Sequence, residues 1–437
     1  MKYFLWFRWL VFGLCLGIMS PGSVWALEEI HLQDLIDRAL ERNPEIVAAK
    51  SEWMAAKNRV WSETALPDPM ASYDLMGSMT ETRVGPQENR LMVSQEVPFP
   101  LKLIEKGKAA SREAEAAKQK YFAMKREVVN RLTQYVSELY FTDESIAVIE
   151  ETKEILKKFE SVAQAEYASR SGSQRDVAKS QAEVSLSLEK LFMLERRREI
   201  VAAMILAVLN EDPMTTLGRT GKPELRELSH NLIELVNLAQ LHSPEIREME
   251  AMAANSHIKK RLAWLANIPD LEIGFQYTWV GKNETAPSGE NGRDSWMFPL
   301  RINVPIWQNR IIADIKAAGH EAEAADARAI QVKNEIFYKV KDAYHRYQTA
   351  RKLNELYETA IIPQSKLAFS SDQAGYESRK TDFLNLLDSE RVYLNAKLSS
   401  LQFYTEAIQA YSDLERVSGL DLQEEPKTES EVSKNEN

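Results

Sequence analysis

The chain is written twice. Asn43-Pro44-Glu45-Ile46 returns 200 residues later as Ser243-Pro244-Glu245-Ile246. Pro67-Asp68 returns as Pro269-Asp270 after 202 residues, and Val97-Pro98-Phe99 as Val304-Pro305-Ile306 after 207. Glu127-Val128-Val129 then matches Glu335-Ile336-Phe337 after 208. The spacing grows in small steps without losing register, which marks a long internal repeat and not shared composition. A unit of this length is no solenoid repeat, so the question is what two such units build.

The first 26 residues read as an export signal. Lys2 and Arg8 form a basic start, Leu10 to Met19 an apolar core too short to span a bilayer, and Val24-Trp25-Ala26 a cleavage site. Cys15 follows Leu14, where a lipid-attachment site wants a small residue. Cleavage after Ala26 would leave no cysteine, removing disulfides, thiol chemistry and cysteine-ligated metals. A formal charge of −10 argues against a nucleic-acid partner, which needs a basic face. No later segment is apolar for long enough to be a membrane helix. If the chain enters a membrane, it does so as strands.

Each half reads helix, strand pair, long helix, turn, helix. Helical patterns cover about Leu32 to Ala65, Leu103 to Tyr167 and Gln174 to Leu209, then Leu232 to Ala266, Ile311 to Ala374 and Asp382 to Gly419. At 1.5 Å per residue the middle helices are roughly 95 Å long and the flanking ones about 50–55 Å. Two short helices end to end therefore equal one long one. Val128, Leu132, Tyr135, Leu139, Thr142, Ile146 and Ile149 follow coiled-coil spacing, with Ile336, Val340, Ala343, Tyr347, Ala350, Asn354 and Tyr357 at the matching positions. An antiparallel bundle would show the same seam. Pro363 should interrupt and bend the second long helix.

The strands carry more information. Leu271 to Trp279 alternates, with Ile273, Phe275, Tyr277 and Trp279 on one face. The return segment, Trp296 to Ile306, places Trp296, Phe298, Leu300, Ile302, Val304 and Ile306 together. An aromatic-rich apolar face backed by a polar one is the pattern of a membrane barrel strand. Ala71, Tyr73 and Leu75, returning through Leu91, Val93 and Val97, form a weaker copy, and Ser78 to Glu88 and Gly281 to Asp294 read as solvent connectors. A soluble sheet with one wet face would alternate too, but helices of this length leave it no covering layer. Four strands cannot close a barrel, since about eight are needed. Three copies would supply twelve; dimer and tetramer remain arithmetically open.

These motifs resemble the TolC-type outer-membrane efflux proteins over essentially the whole mature chain. The amphipathic helix with Asn-Pro-Glu is similar to Ala39 to Ile46, and the strand-to-helix Pro junction to Val97-Pro98-Phe99 and Val304-Pro305-Ile306-Trp307. The helix-turn-helix tip motif resembles Tyr167 to Val177 and Tyr376 to Leu387. Arg170 and Arg379 stand where the family usually has Gly, with Gly172 two residues further on. Lys179 and Asn385 replace a second tip acid, which leaves Asp176 and Asp382.

The resemblance implies a mainly helical fold with four membrane strands per protomer, closing as a trimeric twelve-stranded barrel on a periplasmic tunnel. It implies repeats at 27–209 and 229–419, a linker at 210–228 in an equatorial region, and a disordered tail at 420–437. It further implies a passive conduit in the outer membrane, in contact with lipid, working with a periplasmic adaptor and an inner-membrane pump of RND or ABC type. Its cargo would be drugs, toxic small molecules or heavy-metal cations. The tip residues Tyr167, Arg170, Gly172, Asp176, Tyr376, Arg379 and Asp382 would form the gate and adaptor contact. A type I protein-secretion conduit fits the same architecture, and a structural periplasm-spanning coiled coil is a further alternative.

No catalytic residues, cofactor or metal site are assigned. The six histidines are scattered, with none of the spacing a metal-binding helix needs. Met70, Met76, Met79 and Met92 suit soft monovalent copper, yet Met equally fills irregular apolar space. The run Pro98-Phe99-Pro100-Leu101-Lys102 resembles relatives that serve heavy-metal exporters.

Overall fold

Asn43 and Ser243 break helices that the apolar periodicity suggests are continuous. Pro44 and Pro244 lack an N–H and disfavour helical geometry in the residue before them, so each starts a new helix. The structure, a computed structural model, describes residues 30–282, 291–378 and 380–422. The expected export signal, Arg379, part of the second connector and residues 423–437 lie outside the described residues. The first half runs α1 (Leu32–Arg42), α2 (Pro44–Thr64), β1 (Met70–Thr82), β2 (Gly85–Val97), α3 (Pro100–Ala168) and α4 (Gln174–Leu209). The second runs α5 (Leu232–His242), α6 (Pro244–Leu265), β3 (Leu271–Val280), β4 (Ser295–Met297), β5 (Leu300–Ile302), α7 (Gln308–Leu356), α8 (Ile362–Glu377) and α9 (Phe383–Ser418).

The first elbow is tied to the far end of the same half. The Asn43 side-chain oxygen accepts from the Glu45 and Ile46 amides at 2.9 and 3.2 Å, capping α2. Its Nδ2 donates to the Val208 carbonyl at 2.8 Å, fixing α2 over the end of α4.

Two further expectations need correction. Ser78 to Glu88 is not an open connector: β1 runs to Thr82 and β2 starts at Gly85, leaving a tight turn. The return segment from Trp296 to Ile306 is not one strand. It splits into β4 and β5 around Pro299, whose missing N–H cannot join a ladder, although its carbonyl accepts from the Gly274 amide at 2.9 Å. The interruption expected at Pro363 falls just before it. The chain stays helical by widening into a π turn at Tyr357–Ile361, and α8 then begins with Pro363 in its first turn.

The helices form a single layer of four columns. α2 and α4 stack along one flank of the 69-residue α3, and α6 and α9 stack along its other flank. Beyond them α7 and α8 make the fourth column, against α6 and α9. Val128, Leu132, Val136 and Leu139 of α3 pack with Val201, Ile205 and Leu209 of α4. The matching cluster joins Ile336, Val340, Ala343 and Tyr347 of α7 to Ala407, Tyr411 and Leu414 of α9. Most of the predicted seam is therefore buried, with Tyr135, Ile146 and Tyr357 partly exposed.

Residues 210–231 cross the columns as a strap. Leu217 is buried in the first core, and the Tyr347 hydroxyl donates to the Arg226 carbonyl at 2.8 Å. Tyr404 donates its hydroxyl to the Pro223 carbonyl from the other side. Leu422 is buried in the second core, so chain order extends past residue 420, where the tail was expected to begin. No described helix is long and apolar enough to cross a membrane.

Candidate membrane face and helical tip

Strand register sorts the side chains of the sheet onto two unlike faces. Tyr73, Leu91, Tyr277 and Trp296 lie in one row across the strands, with Ala71, Val93 and Phe275 in the next. Ile273 stands opposite Leu300, and Leu271 opposite Ile302. Phe298 packs on Phe275 and Trp296 at ring separations of 5.3 and 5.5 Å. The structure thus brings Ile273, Phe275, Tyr277, Trp279, Phe298, Leu300 and Ile302 onto one surface, where Leu300 is 69% exposed. The other face carries Asp74, Arg90, Ser94, Glu96, Glu272, Gln276 and Arg301. Arg301 pairs with Glu272 at 2.6 Å and donates to the Met92 sulfur at 3.3 Å. Both edges of the sheet, β1 and the β4/β5 side, are unpaired among the described residues.

Where sheet meets helices, exposed Trp61, Trp264 and Trp307 mark a level. Aromatic side chains of this kind favour a water–lipid boundary. An ion pair stands at the same corner. Lys102 Nζ lies 2.7 Å from Asp270 Oδ2 and 2.7 Å from the Ile268 carbonyl, and Asp270 Oδ1 accepts from the Phe99 amide at 2.8 Å. Burial pushes the Asp270 carboxyl up, but Lys102 and the Phe99 amide outweigh it and hold it below the usual carboxylate range. Nothing local marks this pair in the sequence.

At the opposite end α3 closes with a Schellman turn. The Arg170 amide donates to the Tyr167 carbonyl, and those of Ser171 and Gly172 to the Glu166 carbonyl at 2.9 Å. Arg170 holds φ at 62°, the left-handed region usually given to Gly. Gly172 is needed for close approach: a Cβ there would come within 2.8 Å of Glu166 Cβ. Arg170→Gly is expected to stabilise this turn by about 0.5–1 kcal/mol. Slower hydrogen exchange at the Ser171 and Gly172 amides would register the gain; unchanged exchange would show that Arg170 sits there without strain.

The two tips meet through a contact that the sequence reading missed. Tyr376 is 8% exposed, packs tilted against Phe383 at a ring separation of 5.4 Å and donates its hydroxyl to Glu166 Oε2 at 3.1 Å. Burial and the Glu166 carboxylate push its phenol well up. Its counterpart Tyr167 is 50% exposed. Asp176 does not meet Arg170: its Oδ1 lies 3.6 Å from Arg175 Nε and accepts no hydrogen bond. Asp382 is exposed at the N-cap of α9, without a side-chain cap bond. Among the described residues Arg170 makes no ion pair within one chain. Two turns into α9, Glu390 is 4% exposed and is pushed up to about 7 by burial and by Glu183.

Residues 235–420 match the sequence family described as Outer membrane efflux protein. The cobalt-zinc-cadmium resistance protein CzcC of Cupriavidus metallidurans is 21% identical over 214 residues, 47% of this chain and 49% of that protein. The chain thus spans about half the length of this curated relative. The fold is that of solved outer-membrane channels. OprN superposes with a TM-score of 0.76 at 19% identity, over 90% of this chain and 91% of that one. CusC gives 0.77 at 15% identity over 91% and 94%, and Neisseria gonorrhoeae MtrE in its open state 0.74 at 20% over 91% and 91%. The second half of the chain thus matches the outer membrane efflux protein family, and the fold of both halves is that of these channels.

Proposed function

We propose that three copies of this chain form a passive outer-membrane conduit, with a twelve-stranded barrel above a periplasmic tunnel of helical columns. One observation carries the reading. An unclosed sheet presents a continuous apolar face and two unpaired edges, and it is joined to a column about 100 Å long. A sheet like this is stable only when lipid covers the face and other strands cover the edges. The tip, farthest from the sheet, is the periplasmic entrance, where an adaptor and an inner-membrane pump would dock. Energy comes from that pump, so the chain needs no catalytic residues. Heavy-metal cations are the favoured cargo, supported by the resistance named for CzcC and by the Pro98 to Lys102 run.

Within this reading Tyr376 and Glu166 latch neighbouring tips, while Tyr167, Arg170, Gly172, Asp176, Arg379 and Asp382 form the rim. Exposed polar links contribute only about 0–1 kcal/mol each, so a ring of them holds a closed state that a partner can open. The test is conductance in planar bilayers. Wild-type protein is expected to insert as a low-conductance channel, and Asp176→Ala with Asp382→Ala, or Tyr376→Phe alone, to leak more. Unchanged conductance together with unimpaired adaptor binding would reduce these residues to solvated turn positions.

A further inference from the structure

The corner clamp of one chain has an unused second copy. Lys102 is the third residue of α3, and Arg310 is the third residue of α7. Asp270 follows Pro269 before β3, and Asp68 follows Pro67 before β1. Lys102 and Asp270 are joined and mostly covered, at 15% and 16% side-chain exposure. Arg310 and Asp68 are both exposed, and neither side chain makes an ion pair or hydrogen bond among the described residues. The first repeat's cation thus grips the second repeat's anion. The second repeat's cation and the first repeat's anion lie on opposite outer edges, where one chain cannot join them.

The strands repeat the same imbalance. β2 pairs with β3, with Gln95 opposite Ile273 and Val93 opposite Phe275. By the repeat, Gln95 and Val93 correspond to Ile302 and Leu300, and Ile273 and Phe275 to Ala71 and Tyr73. These counterparts stand on the two free edges of the sheet. Placing Ile302 opposite Ala71 and Leu300 opposite Tyr73 keeps all four on the apolar face. A slip of one residue would send one edge's apolar side chains to the polar face. The outer columns agree: Tyr338 on α7 is 68% exposed and Phe192 on α4 is 66% exposed, apolar groups left uncovered at the two flanks.

We infer that the interface between copies reproduces the interface between repeats. Arg310 of one copy pairs with Asp68 of the next, and β4/β5 joins the neighbouring β1 with Ile302 opposite Ala71. The occupant of both edges is a second copy of this chain, as the opposite charges and the matching parity require. This rests on the trimeric reading given above and adds its residue-level register.

The test uses the full-length chain in isolated outer membranes. Its sequence holds one cysteine, Cys15, so introduced pairs are easily read. Ala71→Cys with Ile302→Cys is expected to give covalent dimers and trimers on non-reducing gels after mild oxidation. Ser72→Cys with Ile302→Cys, one residue out of register, is expected to stay monomeric. Reversing one charge, by Asp68→Lys or Arg310→Glu, should lower trimer yield several-fold, and combining both should restore it. Amine cross-linking of wild type reports copy number separately. A trimer by that measure with no Ala71–Ile302 bond, or with no rescue by the double reversal, overturns the register and leaves the conduit standing. Absence of a trimer overturns both.

Discussion

Leu300→Lys is expected to remove the protein from the outer-membrane fraction, while Gln276→Lys leaves it assembled. Leu300 points from β5 to the apolar face in the row of Ile273, and Gln276 lies on the polar face opposite Met297. A lysine on the lipid side near midplane costs about 2–4 kcal/mol, and one on the lumen side far less. Three copies multiply the first penalty, so assembly should fall steeply. Membrane fractionation with trimer yield on unheated gels makes the measurement. Equal tolerance at both positions would mean that this face never meets lipid.

Stability of the helical part should fall as pH rises from about 4.5 to 7. Glu390 is buried, and its pKa is pushed up to about 7 from 4.5, chiefly by burial and then by Glu183, with Lys190 and Arg391 opposing. A raised pKa means that the folded chain binds the proton more tightly than the unfolded one. The contribution is therefore complete below about pH 4.5 and is lost as pH climbs through 7. A gap of this size is worth up to about 3 kcal/mol per copy. Glu415, also pushed to about 7 by burial, acts in the same direction. Thermal unfolding in detergent should show a higher Tm at pH 5 than at pH 8. Glu390→Gln should remove roughly half of that difference by keeping the site neutral. A wild-type Tm that is flat or rising over this range would show that Glu390 is solvated in the assembly.

What the sequence made legible was whatever repeats locally. The span Gln174–Leu209 is readable because Ser173 caps its start and Asn210 closes its end with φ at 57°. The apolar face of β3 is readable because alternation needs no knowledge of its neighbours. The elbow at Asn43 was hidden because apolar spacing continues on both sides of it and only Pro44 interrupts. The break at Pro299 was hidden by the unbroken parity from Trp296 to Ile306. The clamp of Lys102 on Asp270 and the latch of Tyr376 on Glu166 join residues 168 and 210 positions apart. No window along the chain contains both partners, and only the folded columns bring them together. Glu390 escaped for a related reason: α9 carries several acids, and burial singles out one.

The π turn at Tyr357–Ile361 bears on how the two halves stay level. From Gln308 to Glu377 the second column is one residue longer than Pro100 to Ala168 in the first. Above the turn, Val128 and Ile336 are 208 positions apart; below it, Tyr167 and Tyr376 are 209 apart. The bond from the Ile362 amide to the Tyr357 carbonyl takes up the surplus residue inside a single wide turn. An uncorrected extra residue would turn every side chain beneath it by about 100° and lower the tip by about 1.5 Å. Phe369 and Tyr376 would then face away from Phe159 and Glu166. The wide turn works as a vernier: it lets two columns of unequal count end at one height and in one phase.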